Sequence, residues 1–372
     1  TGWFYVHLFV LGWATMLAKG AVYQLIHVIL QSKIYSERLG YIHYFAFTIG
    51  IIGLLYGFMN GKPEYIAGFA SLAFTAILLF AWNMGITLMR AGKWDAITIS
   101  AACAVLYLVL TGISGMTMGL NFAFGIWSEL HERLFGAHIW FGTVGWFGLL
   151  ITGFSYKMLP MFYLAHDYPD RLQKINLVLW NAAVIGGASS FLFDRSAWAL
   201  WCALFVLAAA VAIYNVHLLQ IRKKRHKRNP GQGIKWSMYG NQAFAVIILV
   251  CVIFTFLFPE RMLNAKPVLL AGWIYLGGWV SFMILCYASK IIPFLWWTNK
   301  YGKHVGKPGT PKMTDLLDEN KVNLGLAVTA LSLLALFVGL AFNLQWVIWI
   351  AGIVCSVISL IYITLLGLVF SK

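Results

Sequence analysis

Charge is what this sequence has least of. Only 10% of its 372 residues are Asp, Glu, Lys or Arg, against about 25% in a soluble domain. A water-soluble fold of this length needs polar faces on its helices, and long stretches here have none, which leaves lipid as the solvent for most of the surface. Cysteine is limited to Cys103, Cys202, Cys251, Cys286 and Cys355, all in apolar runs and none in CxxC or CxxCH spacing. That excludes a zinc knuckle, a disulfide framework and a covalently attached c-type haem. There is no Walker loop, strand–helix GxGxxG, HExxH or nucleophile elbow, so nucleotide and hydrolase chemistry lack their residues. The first apolar stretch has no early basic region and no small-residue cleavage site, and reads as a true span rather than a signal peptide.

What is present is apolar: 61% of the chain is hydrophobic. Runs of about 20 apolar residues predict an all-α integral membrane protein of eleven spans, near 3–30, 41–60, 65–89, 96–121, 137–164, 174–193, 196–221, 237–259, 267–297, 322–343 and 345–370. Turn-forming breaks separate them, among them Asn60-Gly61-Lys62-Pro63 and Asn229-Pro230-Gly231. The net charge of +15 suggests a polyanionic partner, but the basic residues cluster in alternate loops, a pattern that sets membrane orientation and does not imply nucleic acid. The run Arg222-Lys223-Lys224-Arg225-His226-Lys227-Arg228, with Lys33, Arg38, Arg90, Lys93, Arg171, Lys174 and Lys300, places loop 222–236 in the cytoplasm, loop 122–136 outside and the N-terminus outside. An odd number of spans with an outside N-terminus leaves open whether a further span precedes Thr1.

An internal repeat is legible. Gly12-Trp13 recurs as Gly145-Trp146 and Gly278-Trp279, at intervals 145 − 12 and 278 − 145, both 133. The same register aligns Gln24, Lys157 and Lys290, sets His27 against Pro160 and Pro293, and pairs Tyr23 with Tyr156. The chain then divides into units of about four spans, near 1–133, 134–266 and 267–372, arranged with pseudo-threefold symmetry.

That layout resembles the catalytic subunit I of the haem–copper oxidase superfamily, which includes the cbb3-type oxidases and nitric-oxide reductases. Local text agrees: Val6-His7-Leu8-Phe9-Val10-Leu11-Gly12-Trp13 is similar to a helix start of small cbb3-subunit-like proteins. Ala137-His138 through Trp146, followed by Met158-Leu159-Pro160-Met161-Phe162, is similar to a second signature of that group. The resemblance implies a low-spin haem ligand at His7 and a copper-ligand histidine at His138. It also implies two axial histidines in the ninth span, where Ala271-Gly272-Trp273 stands, and a histidine pair in the sixth, where Ala188-Ser189-Ser190-Phe191 stands. The full metal-ligand set is therefore missing, and copper at His138 would lack the family's other ligands.

Read by depth, His7 and His138 open spans one and five. Their offsets from the GW pairs differ by two residues, about 3 Å of helix, so both reach one iron if their helices adjoin. One b-type haem is the expected cofactor, imidazole being a neutral nitrogen donor for iron; interfacial histidines bonded to headgroups are the plain alternative. His27 and His43 lie at similar depth near the cytoplasmic ends and offer a second haem site, or simply sit at the interface. His131, with Glu129 and Glu132, reads as a solvated loop cluster. Lys19, about 18 Å along the helix from His7, must pair, face water or snorkel, and is a candidate for a proton path. Lys157 and Lys290 read as snorkelling cations, and Asn83, Asn176 and Asn181 as polar contacts between helices. The functions that follow are electron transfer, or binding or reduction of nitric oxide or another small gas. Quinol or cytochrome c, other respiratory-complex subunits and a bacterial or archaeal plasma membrane are the expected setting. A metal-free transporter or channel, or a scaffolding subunit, stays open beside them.

Overall fold

The computed structural model describes residues 2–30, 32–194, 197–262 and 264–372. Among these, eleven helices are long and apolar enough to cross a membrane: α1 (Gly2–Leu30), α2 (Glu37–Asn60), α3 (Pro63–Ala91), α4 (Ala96–Phe124), α5 (Ser128–Tyr163), α6 (Arg171–Phe193), α7 (Ala197–Lys223), α8 (Gln232–Leu257), α9 (Ala265–His304), α10 (Glu319–Phe342) and α11 (Gln345–Ser371). No β-strand occurs among the described residues. The protein is an all-α integral membrane protein, as the apolar runs predict. Two boundaries differ from expectation. α5 begins at Ser128 rather than near 137, so Glu129, His131 and Glu132 stand on helix, not in a loop. Hydropathy ends where Glu132 and Arg133 begin, but the helix does not, because its backbone satisfies itself in water as well as in lipid. α9 likewise runs on to His304. Ser196, the expected start of the seventh span, lies outside the described residues.

The chain forms two compact units. One holds residues up to Met158 together with Pro169–Tyr214; the other holds Leu159–Tyr168 and Asn215–Lys372. In the first, small residues let helices meet backbone to backbone: a Cβ on Gly50 of α2 would lie 2.9 Å from the Ala73 amide nitrogen of α3. Polar side chains then tie helices together. Tyr107 Oη donates to Asn181 Oδ1 at 2.8 Å and Asn176 Nδ2 to Tyr156 Oη at 2.6 Å, joining α6 to α4 and α5. Each such bond contributes about 0.6 kcal/mol, up to about 2. Asn83 on α3 holds the α1–α2 loop: its Oδ1 accepts from Ser36 N (3.1 Å) and its Nδ2 donates to Ser36 O (2.8 Å).

All three GW pairs lie in eight-residue π-helical segments, Leu8–Thr15 of α1, Phe141–Gly148 of α5 and Trp273–Val280 of α9. A fourth, shorter one is Ser190–Asp194, at the end of α6. π turns are rare and concentrate at functional sites. Their wider turn frees carbonyls from the usual ladder, and Val144 O takes the Trp180 indole N–H at 2.8 Å.

In the second unit Trp279 of α9 stacks on Phe244 of α8 at 4.7 Å and donates to Asn241 Oδ1 at 2.8 Å. Lys290 does not snorkel as expected: it is buried, and its ammonium lies 3.4 Å from the Glu319 carboxylate. Glu319 also accepts the Gln232 backbone N–H at the start of α8. An ammonium of that depth is stabilised more by a carboxylate within reach than by stretching to the interface.

Candidate functional site

α1 and α5 each carry a histidine just before a π-helical segment, and the fold brings the two together. The His7 and His138 ring centroids are 6.4 Å apart, with 29° between the planes. His7 Nδ1 lies 2.8 Å from the Trp3 carbonyl one turn back. His138 Nδ1 lies 2.9 Å from the Thr111 carbonyl and 3.2 Å from Ser114 Oγ, both on α4. A carbonyl oxygen only accepts, so each ring carries its proton on Nδ1 and keeps the Nε2 lone pair for another partner. Metal-bound histidines are held in this way.

Both rings are half-buried and their surroundings are aromatic. Phe58 of α2 lies 4.8 Å from His7, and Trp3 meets Phe135 edge-on at 5.2 Å. His138 reaches its carbonyl because position 115 has no side chain: a Cβ on Gly115 would stand 2.9 Å from His138 Cε1. Two imidazoles with Nδ1 held by carbonyls and Nε2 left as acceptor are donors of the kind that haem iron takes. Among the described residues no group of three or more His, Cys, Asp or Glu side chains could hold a metal ion, so copper at His138 would find two imidazoles at most.

Further along α1 lies a second cluster. Lys19 and His43 are 1% and 2% exposed, and Lys19 Nζ is 3.2 Å from His43 Nε2. The ammonium sits over the Phe47 ring at 3.1 Å and faces Phe80 at 5.5 Å. His43 Nδ1 lies 3.5 Å from Tyr23 Oη. Both His43 nitrogens thus face protein groups. His27 turns instead to the loop, where its Nδ1 meets the Ser32 carbonyl at 2.9 Å. His27 and His43 thus make separate contacts, the one with the loop and the other with Lys19 and Tyr23.

The remaining histidines are dispersed. His131 lies 3.4 Å from Asn121 Nδ2 and against Phe122. His166 and His226 face each other at 5.9 Å, and His217 packs on Tyr168. The sequence shows His7 and His138 as a pair but not Thr111, Ser114 and Gly115, which hold His138, nor the contact of Lys19 with His43. Those residues belong to other helices, and no spacing in the chain links 115 with 138 or 19 with 43.

Residues 1–193 match the family model described as cytochrome c and quinol oxidase polypeptide I. The match spans both histidines of the pair and the Lys19 cluster. No match was found among curated proteins or among solved structures.

Proposed function

The chain belongs to the cytochrome c and quinol oxidase polypeptide I family, and from that premise we propose that it is a membrane haem protein whose iron is held by His7 and His138. The observation that carries this reading is the imidazole pair, 6.4 Å between centroids, with each Nδ1 committed to a carbonyl. The bound group would supply one-electron chemistry and an affinity for nitric oxide or a similar small gas. The protein's own part is to hold and orient. The Trp3 carbonyl fixes the plane of His7, and Thr111 with Ser114 fixes that of His138. Phe58 packs on the His7 ring, and Trp3 lies beside it. Because both His43 nitrogens face protein groups, the proposal has one haem, of b type since no cysteine motif could attach it, and no copper.

The setting goes with this reading: a bacterial or archaeal plasma membrane, N-terminus outside and loop 222–236 in the cytoplasm, with quinol or cytochrome c as electron donor and other respiratory-complex subunits as neighbours. Three four-helix units, supported by the π-helical segments at all three GW pairs, form its scaffold. A dithionite-reduced minus oxidised spectrum of the purified protein tests it, with a low-spin α-band expected. A colourless preparation, after expression with ample haem, would reject the haem and leave a metal-free transporter or scaffold. Impermeant labelling of Arg225→Cys in intact cells would overturn the orientation.

A further inference from the structure

We propose that the end of α7 and the loop after it, residues 222–228, form a binding site for the phosphate groups of anionic phospholipids. The inference rests neither on the haem nor on which side of the membrane the loop faces. Arg222, Lys223, Lys224, Arg225, Lys227 and Arg228 put six cations into seven residues. Among the described residues no carboxylate pairs with any of them, not even Asp167 in the adjoining α5–α6 loop. A block of like charge repels itself and ordinarily stays disordered. This one is held. Arg225 forms an antiparallel β-bridge with Ala165, Lys227 N donates to Tyr163 O at 2.9 Å, and Lys224 N donates to Gln220 O at 3.1 Å. A fixed run of cations with no counter-charge of its own calls for anions from outside the chain.

The bridge also gathers hydrogen-bond donors. His166 and His226 each follow a bridged residue, so both leave the same face of the paired backbones, and their rings meet at 5.9 Å. Both are exposed and bring ring N–H donors beside the cations. Arg225 Nη1 donates to the Arg222 carbonyl at 2.8 Å. That contact fixes the guanidinium, while its other N–H groups remain to grip a phosphate in the forked geometry that suits oxyanions.

What favours a lipid over a soluble phosphate is the face of α7 that leads to this loop. Val216 and Leu219 are exposed apolar side chains, and Lys223 is exposed one turn further on. The intervals 219 − 216 and 223 − 219 are three and four residues, so the three side chains share one side of the helix. Lys223 lies about 6 Å beyond Leu219 along the axis. Acyl chains against Val216 and Leu219 therefore bring their own phosphate to Lys223, and to Arg222 and Arg225 beside it. A dissolved anion has no use for the apolar half.

Native mass spectrometry of the full chain in a neutral detergent, titrated with phosphatidylglycerol or phosphatidylcholine of identical acyl chains, tests this. Phosphatidylglycerol should bind in preference. Each cation near an anionic head-group surface strengthens binding about fivefold. Lys223→Gln should then weaken it about fivefold, and Arg222→Gln, Lys223→Gln and Arg225→Gln together about 100-fold. Lys303→Gln, Lys307→Gln and Lys312→Gln together remove the same charge from exposed positions of another polar stretch and should leave the binding unchanged. Equal retention of the two lipids, or an equal loss in both triple variants, would overturn the site. Displacement of the lipid by inorganic phosphate, but not by chloride at the same ionic strength, would assign the site to a soluble anion and overturn the lipid as its ligand.

Discussion

Replacing Gly115 with alanine puts a methyl carbon 2.9 Å from His138 Cε1 and 3.3 Å from Nδ1. Carbon–carbon contact is comfortable at about 3.5–4.0 Å, so the ring must retreat by about 0.5–1 Å or turn. Either movement draws Nδ1 off the Thr111 carbonyl, 2.9 Å away at present. Two opposing effects act on stability: alanine improves a helix over glycine by about 1 kcal/mol, while overpacking costs about 1–3 kcal/mol. The net effect on stability therefore lies between none and a loss of about 2 kcal/mol. The effect on haem is larger, because losing the group that orients a metal-bound histidine lowers affinity about 10–100-fold. Haem titration of the purified apoprotein, followed by optical absorbance beside a thermal melt, separates the two. Gly85→Ala on α3, where nothing lies within 4 Å of the new carbon, is the matched control and should bind haem as the parent does. Wild-type haem affinity in Gly115→Ala would refute the placement of His138 as a ligand held by Thr111.

Two further outcomes follow from the fold. Asp95 caps α4, accepting from the Ile97 and Thr98 amides at 3.1 and 3.0 Å. Burial pushes its carboxyl up, but the hydrogen bonds from Thr98 and the Lys93 ammonium outweigh it, so its pKa falls below the usual 3.8. A depressed folded pKa means stability that is present above 3.8 and lost as pH drops through the lower folded value. Asp95→Ala should thus cost about 1 kcal/mol at neutral pH, with the gap to wild type closing in acid melts; a gap that does not narrow as the pH falls below 3.8 would contradict the cap. In the second unit, Glu319→Gln strands the Lys290 ammonium. Breaking a fully buried pair costs about 3–5 kcal/mol, and the 37% exposure of Glu319 reduces this to about 1–3. Adding Lys290→Met should restore most of the loss in a denaturation series, and a double variant no better than the single would show that the pair does not couple.

The spans were legible because each is an apolar run of membrane length; the equal GW interval was legible too, and all three pairs stand in π-helical segments. α5 was read short because hydropathy stops at its polar first turns while backbone hydrogen bonding continues through Ser128–Arg133. Lys290 was misread because Glu319, its partner, lies across a polar stretch that carries no trace of the contact. At the site, His7 and His138 were visible as histidines opening equivalent helices. Their carbonyl partners were not, since a backbone oxygen leaves no mark on residue type. Lys19 stood out as an intramembrane charge, but only the packing of α1 on α2 shows that it meets His43 rather than water.

Haem content together with the optical spectrum of His7→Ala and His138→Ala measures the two imidazoles directly. Each variant should lose haem or shift from a low-spin towards a high-spin spectrum, with the helical signal of the protein intact. Full haem content and an unchanged low-spin spectrum in both would contradict the ligand role of His7 and His138 and place the iron, if any, elsewhere in the protein.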